Sequence, residues 1–385
     1  MTRLLNYHVL TWPEIKALPR NTPLIIPLGK NLPQDSLVQH LSSASVICLL
    51  PAIPYGWEGS GLAVSKGLLS TFITNLLDSL ADDGFSRVYA FAPHGIDLDL
   101  GNMQISLPST SVENEYIDIY PIPPAGNIDK VVIIPIGHTE QHGLHLPMST
   151  DTTIISAIAQ GVVEAVPDLA AGLPAFPYGV STHRRSFSGT LNAGGRAFED
   201  FWLDVVAVLV SRGFSKFYLL SGHGGNCSFL VNVVKYAGER FRRIFCATSW
   251  LYLSGPSGVD SLNNLRSSAI GGMGHAGELE TSLILHLTPE LVRTQLIVDE
   301  TDFISTSSYM MDWVEGGPLI ANPPWEDDTV TGSYGAGSLG TAAKGEAWLQ
   351  AAIQEKIGHV LEIHEQHERR ETRRNAGYGM WGDIS

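Results

Sequence analysis

Three short blocks of sequence occur twice in this chain, in the same order. The first set reads IIPLG, PAIPYG and GFSRVYAFAPHG, and the second reads IIPIG, PAFPYG and GFSKFYLLSGHG. A single match of this kind recurs by chance in α/β proteins, but three in order indicate two copies of one supersecondary plan. We therefore predict a shortened, degenerate copy at 1–110, a linker at 111–129, a complete copy at 130–365 and a tail at 366–385.

The complete copy alternates apolar strands with amphipathic helices. Residues 131–136 and 214–221 are typical of buried strands, while 152–166 and 197–213 carry apolar residues at helical spacing. This alternation predicts a mostly parallel sheet that helices cover on both faces. Ligands of such sheets bind at the carboxyl ends of the strands, so we expect the functional site there.

Composition narrows the class of protein. Of the 385 residues, 44% are hydrophobic and 16% are charged, which is typical of a globular chain with a large core. The net charge of −15 argues against a nucleic-acid partner, and it gives no reason to expect attraction to an anionic membrane surface. Three scattered cysteines do not form a disulfide framework, and the first residues lack a signal peptide, so we predict a cytoplasmic protein.

Metal-competent side chains follow the predicted strands of the complete copy. Glu140 and His142 come after the first strand at a spacing that places both on one side of an extended segment. Asp151 precedes a helix, where a carboxylate is also a common N-cap. His223 follows another strand within the glycine-rich turn SGHGGN, which lets backbone approach a ligand closely.

A third polar segment, GHAGELETS, precedes an apolar helix. It contains His275, Glu278 and Glu280, and the first two would share a face if the helix has begun. A carboxylate that caps a helix is the ordinary alternative for either glutamate. Mixed imidazole and carboxylate ligands suit zinc or manganese. Five imidazole and carboxylate ligands are too many for one open tetrahedral zinc, and they suit two ions about 3.5–4 Å apart.

The motifs PIGHTEQHGLHLPMSTDT, YGVSTHRRSFSGT, LLSGHGGN and GHAGELETS resemble those of the creatininase family of metal-dependent amidohydrolases, in family order. The likeness covers roughly 127–365. It implies a creatininase-like three-layer α/β/α fold with a mostly parallel sheet, here preceded by the shortened pseudo-repeat. It also implies two divalent ions (Zn, Mn or Fe), a small-molecule or short-peptide amide substrate, and a homo-oligomer.

The resemblance assigns roles to individual residues. It implies that Glu140, His142, Asp151 and His223 are metal ligands, with Asp151 as the bridge between two ions. Creatininase has a further glutamate ligand where this chain has Gly225, so Glu278 is expected to replace it, while Glu280 is expected to be structural. The resemblance further implies that His275 and Glu278 are catalytic residues. It also implies a substrate pocket that includes Trp250, His183 and Ser221.

Two functions follow as hypotheses. The first is an amidohydrolase that cleaves an amide C–N bond in a cyclic amide, a formamide or a small peptide-like substrate, for example as a tailoring step in a biosynthetic pathway. The second is a non-catalytic metal-binding assembly or partner-binding protein, because the first copy has already lost the ligand residues. Replacing Asp151 with alanine would abolish activity under the first hypothesis and leave partner binding intact under the second.

Overall fold

Two parallel β-sheets, each flanked by helices, make up the computed structural model, which describes residues 2–29, 32–107, 125–183, 186–314 and 316–377. In the first sheet the strands are β1 (Arg3–Asn6), β2 (Leu24–Pro27), β3 (Val46–Leu49), β4 (Val88–Phe91) and β5 (Gln104–Ile105). Its helices are α1 (Trp12–Lys16), α2 (Gln34–His40) and α3 (Lys66–Asp82).

The second sheet belongs to the part of the chain that carries the candidate ligands. Its strands are β6 (Val131–Ile136), β7 (Ala170–Gly172), β8 (Lys216–Ser221) and β9 (Phe245–Ser249). The helices of this part are α4 (Thr150–Ala165), α5 (Gly195–Ser211), α6 (Gly224–Arg240), α7 (Pro256–Leu265), α8 (Glu278–Leu287) and α9 (Ala342–Asn375). No helix among the described residues is long and apolar enough to cross a membrane.

Strand order is shared by the two sheets. The first runs β1-β3-β2-β4-β5 and the second runs β7-β6-β8-β9, with every pairing parallel. The strands that precede or lie within the repeated blocks have the same order in both sheets: β3, β2 and β4 in the first, and β7, β6 and β8 in the second. The predicted α/β architecture with parallel sheets between helices is confirmed.

Side-chain alternation along the strands divides the core into layers. On β6, Val132, Ile134 and Ile136 point into a cluster that also contains α3 and α5, whereas Val131 and Ile133 point toward α4, α8 and α9. The first cluster includes side chains from both sheets. Phe72 of α3 and Phe201 of α5 meet there with ring centroids 5.0 Å apart. The two sheets therefore share one hydrophobic core.

Two of the predicted domain boundaries cannot be matched directly to the structure. The linker predicted at 111–129 falls largely within 108–124, which lie outside the described residues. Helix α9 continues to Asn375, so the predicted tail at 366–385 begins inside a helix.

Candidate active site

The carboxyl ends of the neighbouring strands β6 and β8 carry the polar cluster. Glu140 and His142 follow β6, and His223 follows β8, which pairs with β6 in parallel. Asp151 is the second residue of α4, and its side chain points back to the same edge of the sheet. Glu140, His142, Asp151 and His223 are all buried, and the structure brings these four predicted ligands together.

Three histidines of this cluster each have one ring nitrogen held by a backbone carbonyl. His142 Nδ1 lies 3.2 Å from Glu140 O, His223 Nε2 lies 2.9 Å from Val180 O, and His275 Nε2 lies 2.7 Å from Gln141 O. A carbonyl only accepts, so each of these nitrogens carries the proton. In the neutral form of each ring, which a metal requires, the other nitrogen then carries a lone pair.

Those lone pairs face carboxylate oxygens. His223 Nδ1 lies 2.9 Å from Glu140 Oε1 and 3.3 Å from Asp151 Oδ2. His142 Nε2 lies 2.9 Å from Asp151 Oδ1 and 3.7 Å from Glu280 Oε2. Asp151 therefore lies between two sets of ligand atoms, one with Glu140 and His223 and the other with His142 and Glu280. Electron-rich atoms this close need a proton or a cation between them.

Ionisation in the cluster follows from burial and charge together. Burial favours neutral His142, but the carboxylates of Asp151, Glu280 and Glu140 outweigh it and raise the pKa of His142 to about 9. Burial likewise opposes the charge on Glu140, yet the neighbouring His223 holds the pKa of Glu140 well below its usual value. Burial raises the pKa of Glu280 to about 7. Without a metal, the cluster holds protons that an ion would displace.

The donor set fits divalent metal ions. Among the described residues, both Glu140 oxygens and Asp151 Oδ2 are buried and accept no hydrogen bond from a backbone N–H or a hydroxyl, and the groups that face them are histidine nitrogens. His142, Asp151 and Glu280 each offer a ligand atom, and the three atoms lie within 4.8 Å of one another. Buried carboxylates that lack donors are costly unless they bind a cation, and imidazole with carboxylate suits zinc or manganese.

Glu278 does not lie where the sequence analysis predicted. Its carboxylate pairs with Lys344 and accepts from the backbone N–H groups of Ser267 and Ser268, both within 2.8 Å. Because these partners hold the Glu278 carboxylate away from the cluster, the structure does not support the predicted ligand and catalytic roles of Glu278. Glu280, expected to be structural, faces His142 instead.

Backbone conformation holds Glu280 in place. Glu280 Oε2 accepts a 2.7 Å hydrogen bond from the N–H of Ala276, which has a φ of +53°. Alanine rarely adopts this left-handed conformation, so the surrounding structure must enforce it. Tyr252 Oη lies 3.5 Å from the other oxygen, Oε1. Glu280 is thereby aimed at His142 from the first turn of α8.

A cavity of about 430 Å³ opens onto the cluster. His275, predicted as the catalytic histidine, lines it, and its Nδ1 lies 3.6 Å from Glu140 Oε1. His183 and Trp250, both predicted as pocket residues, line it as well. The prediction for Ser221 differs from the structure: its hydroxyl donates to His223 O at 2.7 Å, and Ser221 is not among the lining residues.

Residues 309–314 and 316–325, which the sequence did not mark as functional, form one wall of this cavity. Trp325 stacks on His183 with ring centroids 3.8 Å apart, and Trp313 packs edge-on against Trp250. Asp312 anchors the segment through Arg266 and the N–H of Gly271. No periodic pattern marks such an irregular stretch, although its three aromatic side chains near Pro323 and Pro324 were a compositional signal.

Comparison with known proteins gives a family match at 124–360, to the family described as Creatininase: creatinine amidohydrolase. A mycofactocin precursor peptide peptidase from Mycolicibacterium smegmatis is 34% identical over 175 residues, which are 44% of this chain and 62% of that protein. A creatinine amidohydrolase from Pseudomonas putida is 28% identical over 246 residues, 59% of this chain and 86% of the other.

Among solved structures, a Bacteroides fragilis protein described as a candidate creatinine amidohydrolase superposes with a TM-score of 0.51 at 25% identity, covering 61% of this chain and 90% of that one. The family match begins at residue 124, so it lends no support to the N-terminal half being a copy of the same module. The chain spans less than two thirds of the length of the M. smegmatis relative.

Proposed function

This chain belongs to the creatininase family, and we propose that it is a binuclear metal-dependent amidohydrolase acting on short, peptide-like amides. The observation that carries the proposal is the shared orientation of His142, His223 and His275. Each ring is locked by a backbone carbonyl so that its free nitrogen faces the carboxylates. Locking the second nitrogen is how proteins orient histidine ligands toward a metal.

We assign the two ions to ligand sets that share Asp151. Glu140, Asp151 and His223 would hold one ion, and His142, Asp151 and Glu280 the other. Bound there, divalent ions supply Lewis-acid chemistry that activates water and polarises the amide carbonyl. This assignment uses Glu280 in place of Glu278.

His275 is the proposed proton carrier. Burial lowers the pKa of His275 to about 3, and charged His142 nearby acts in the same direction, so the ring is neutral. Its Nε2–H is occupied by Gln141 O, which leaves Nδ1 free on the cavity wall. In this proposal that nitrogen would accept a proton from the attacking water and deliver it to the leaving nitrogen of the amide.

The cavity wall favours a substrate with a large apolar group beside the amide. Trp250, Trp313, Leu319 and Ile320 line it, and Leu319 and Ile320 are 57% and 87% exposed. A compact polar amide such as creatinine would leave these side chains in water. A peptide-like amide would cover them, and burying such surface favours binding by roughly 25 cal/mol per Å².

Metal content and activity test the proposed chemistry. Elemental analysis of protein purified without added metal or chelator should give about two ions per chain, as expected for a carboxylate-bridged pair. Asp151→Asn should lose both ions and all amide hydrolysis, whereas Asp168→Asn, which changes an exposed carboxylate, should lose neither. Well below one ion per chain, with none taken up on titration, would refute the hydrolase and favour the partner-binding alternative.

A substrate series tests the peptide-like part separately. Short acylated peptides with phenylalanine or leucine beside the amide should show a kcat/KM about tenfold above the glycine analogue. Trp313→Ala should reduce that ratio, and Tyr236→Ala, an exposed aromatic outside the cavity, should leave it unchanged. Equal rates for all side chains would reject the apolar pocket while leaving the hydrolase intact. The predicted homo-oligomer and cytoplasmic location remain predictions from the sequence.

A further inference from the structure

His138 is a fourth buried histidine at the cluster, and its hydrogen bonding is the reverse of the other three. The backbone N–H of Gly179 donates to His138 Nδ1 at 2.8 Å. An N–H group only donates, so Nδ1 is the lone pair and Nε2 carries the proton of the neutral ring. His138 Nε2 is fully buried, and it has no hydrogen-bond partner among the residues that the structure describes.

The surroundings of His138 are rigid. Thr152 Oγ1 donates to the His138 carbonyl at 3.1 Å, which ties the end of β6 to the first turn of α4. The side-chain amide of Asn226 accepts from the N–H of Val180 at 2.9 Å and donates to Gly137 O at 3.2 Å. These bonds hold the backbone on both sides of His138, while the ring itself is held at Nδ1 by the Gly179 N–H.

Glu140 and His223 are the polar groups beside this ring. One ligand atom from each of His138, Glu140 and His223 lies within 4.8 Å of the other two, and the rings of His138 and His223 are 4.5 Å apart. His223 offers its lone pair at Nδ1, since its Nε2–H is bonded to Val180 O. Glu140 Oε1 faces His223 Nδ1 at 2.9 Å, and Glu140 Oε2 faces His183 Nε2 at 3.6 Å, which is longer than a hydrogen bond. When His223 Nδ1 faces an ion, Glu140 is the member of this group that can accept the His138 N–H.

We propose that His138 is a positioning residue that donates its Nε2–H to the Glu140 carboxylate and fixes the orientation in which Glu140 holds metal. This inference rests on the proposed metal centre. A ring whose Nδ1 accepts from Gly179 and whose Nε2 carries a proton has no lone pair to offer, so His138 is not itself a ligand. One oxygen of Glu140 would bind the ion and the other would accept from His138.

Two substitutions separate the donor from the rest of the ring. In His138→Asn the amide oxygen can still accept from Gly179, but no donor reaches the position of Nε2. In His138→Gln the longer side chain can place an amide N–H near that position. His94→Asn is the control, because His94 is the exposed counterpart of His223 in the first half of the chain.

The measurement is zinc affinity of the otherwise intact protein by competition with a fluorescent chelator, with the melting temperature of the metal-free protein measured in parallel. We expect His138→Asn to weaken zinc binding about 10- to 100-fold, the usual effect of losing a hydrogen bond to a ligand. His138→Gln should recover most of that affinity, His94→Asn should match wild type, and the metal-free melting temperatures should agree.

Two results would overturn the inference. Wild-type zinc affinity in His138→Asn would show that Glu140 needs no donor from this ring. An equal loss in the Asn and Gln variants, together with a lower metal-free melting temperature, would show that the ring only fills space. If the proposed metal centre itself is wrong, the result is distinguishable, because the wild-type protein would then bind no zinc.

Discussion

At the scale of single residues, Glu278 and Glu280 show how a small change of position decides a role. They are the first and third residues of α8, so their side chains point about 200° apart around the helix. Glu278 turns to Lys344 and Glu280 to His142. The assignment of Glu280 to the second ion, in place of Glu278, follows from this geometry.

Charge-removing variants of the two glutamates should separate these roles. Glu280→Gln should lower the metal content to about one ion per chain, as measured by elemental analysis. Glu278→Gln should keep the metal content, but it leaves Lys344 without its carboxylate and should cost about 1–3 kcal/mol of unfolding free energy in urea titrations. Loss of metal in Glu278→Gln with normal stability would contradict the assignment.

The raised pKa of His142 predicts a pH dependence for the metal-free protein. The folded pKa is about 9 against an ordinary value of 6.5, so folding favours the protonated ring. The resulting stabilisation is complete below about pH 6.5 and is lost as pH rises through 9. The free energy of unfolding should therefore fall between these pH values in chelator-treated protein.

His142→Gln is the matched control for this pH dependence. The variant cannot titrate at this position, so its stability should change less than that of wild type over the same range. Metal-loaded wild type should also show a weaker dependence, because a bound ion has already displaced the proton. Identical pH profiles for wild type and variant would show that His142 is not the group responsible.

Site residues could be predicted from the sequence only where the local pattern of strands and helices determines their positions. Glu140, His142, Asp151 and His223 follow strand ends and a helix start that the periodicity already marks, and the structure brings them together. His275 and Glu278 would share a helix face only if the helix had begun at His275, and this condition is not met, because α8 begins at Glu278 and Ala276 before it is left-handed. The partner of Glu278 is Lys344, a contact that no local spacing reveals.

At the scale of elements, the site depends on how closely β6 approaches α4. Gly137 ends β6, and a Cβ added there would lie 2.5 Å from Thr152 Cα, which is backbone of the first turn of α4. No side-chain rotation relieves such a contact, so helix and strand would have to separate. Asp151 precedes Thr152 directly and would move with the helix.

Gly137→Ala should therefore affect both stability and metal binding. We expect a loss of about 1–3 kcal/mol in the unfolding free energy of the metal-free protein, as for other overpacked positions. Gly358→Ala is the control: this residue lies inside α9 with nothing within 4 Å of an added Cβ. It should gain about 0.5–1 kcal/mol. Normal metal content in Gly137→Ala would show that α4 tolerates the shift.

Element types in the second half were largely predictable, because apolar runs and amphipathic stretches there are long and regular. The lengths of the helices were less predictable. Helix α9 spans Ala342–Asn375, although its last residues are strongly charged. Arg243 and Arg374 pair with Glu371 there, so packing and ion pairs continue the helix where apolar periodicity has ended. The irregular segment that forms one wall of the cavity was not predictable, because its position depends on contacts with residues distant in sequence, such as Arg266.

At the scale of the whole molecule, the N-terminal half supports the loops around the site. The N–H groups of Met148 and Ser149 donate to Leu10 O and His8 O at 2.9 and 3.1 Å, just before Asp151. Tyr7 Oη donates to Gly189 O at 2.7 Å. With the shared core between α3 and α5, these contacts join both halves into one folding unit.

Unfolding should therefore be a single transition in spite of the two sheets. Phe72→Ala, at the α3–α5 contact, should cost about 3–5 kcal/mol and shift the whole denaturation curve of the metal-free protein. Fluorescence and far-UV circular dichroism should report the same midpoint. Tyr236→Ala, an exposed aromatic, should change stability by less than about 0.5 kcal/mol. Two separate transitions would show that the halves fold independently.

The α3–α5 contact also has a consequence during synthesis. Helix α3 is complete at Asp82, but its partner α5 is complete only at Ser211. At about 5–20 residues per second the ribosome takes on the order of ten seconds to close that gap. For that time Phe72 lacks Phe201, the ring that it meets in the folded protein. The nascent N-terminal half therefore exposes apolar surface of α3 that the complete chain buries, and such transiently exposed surface is prone to aggregation.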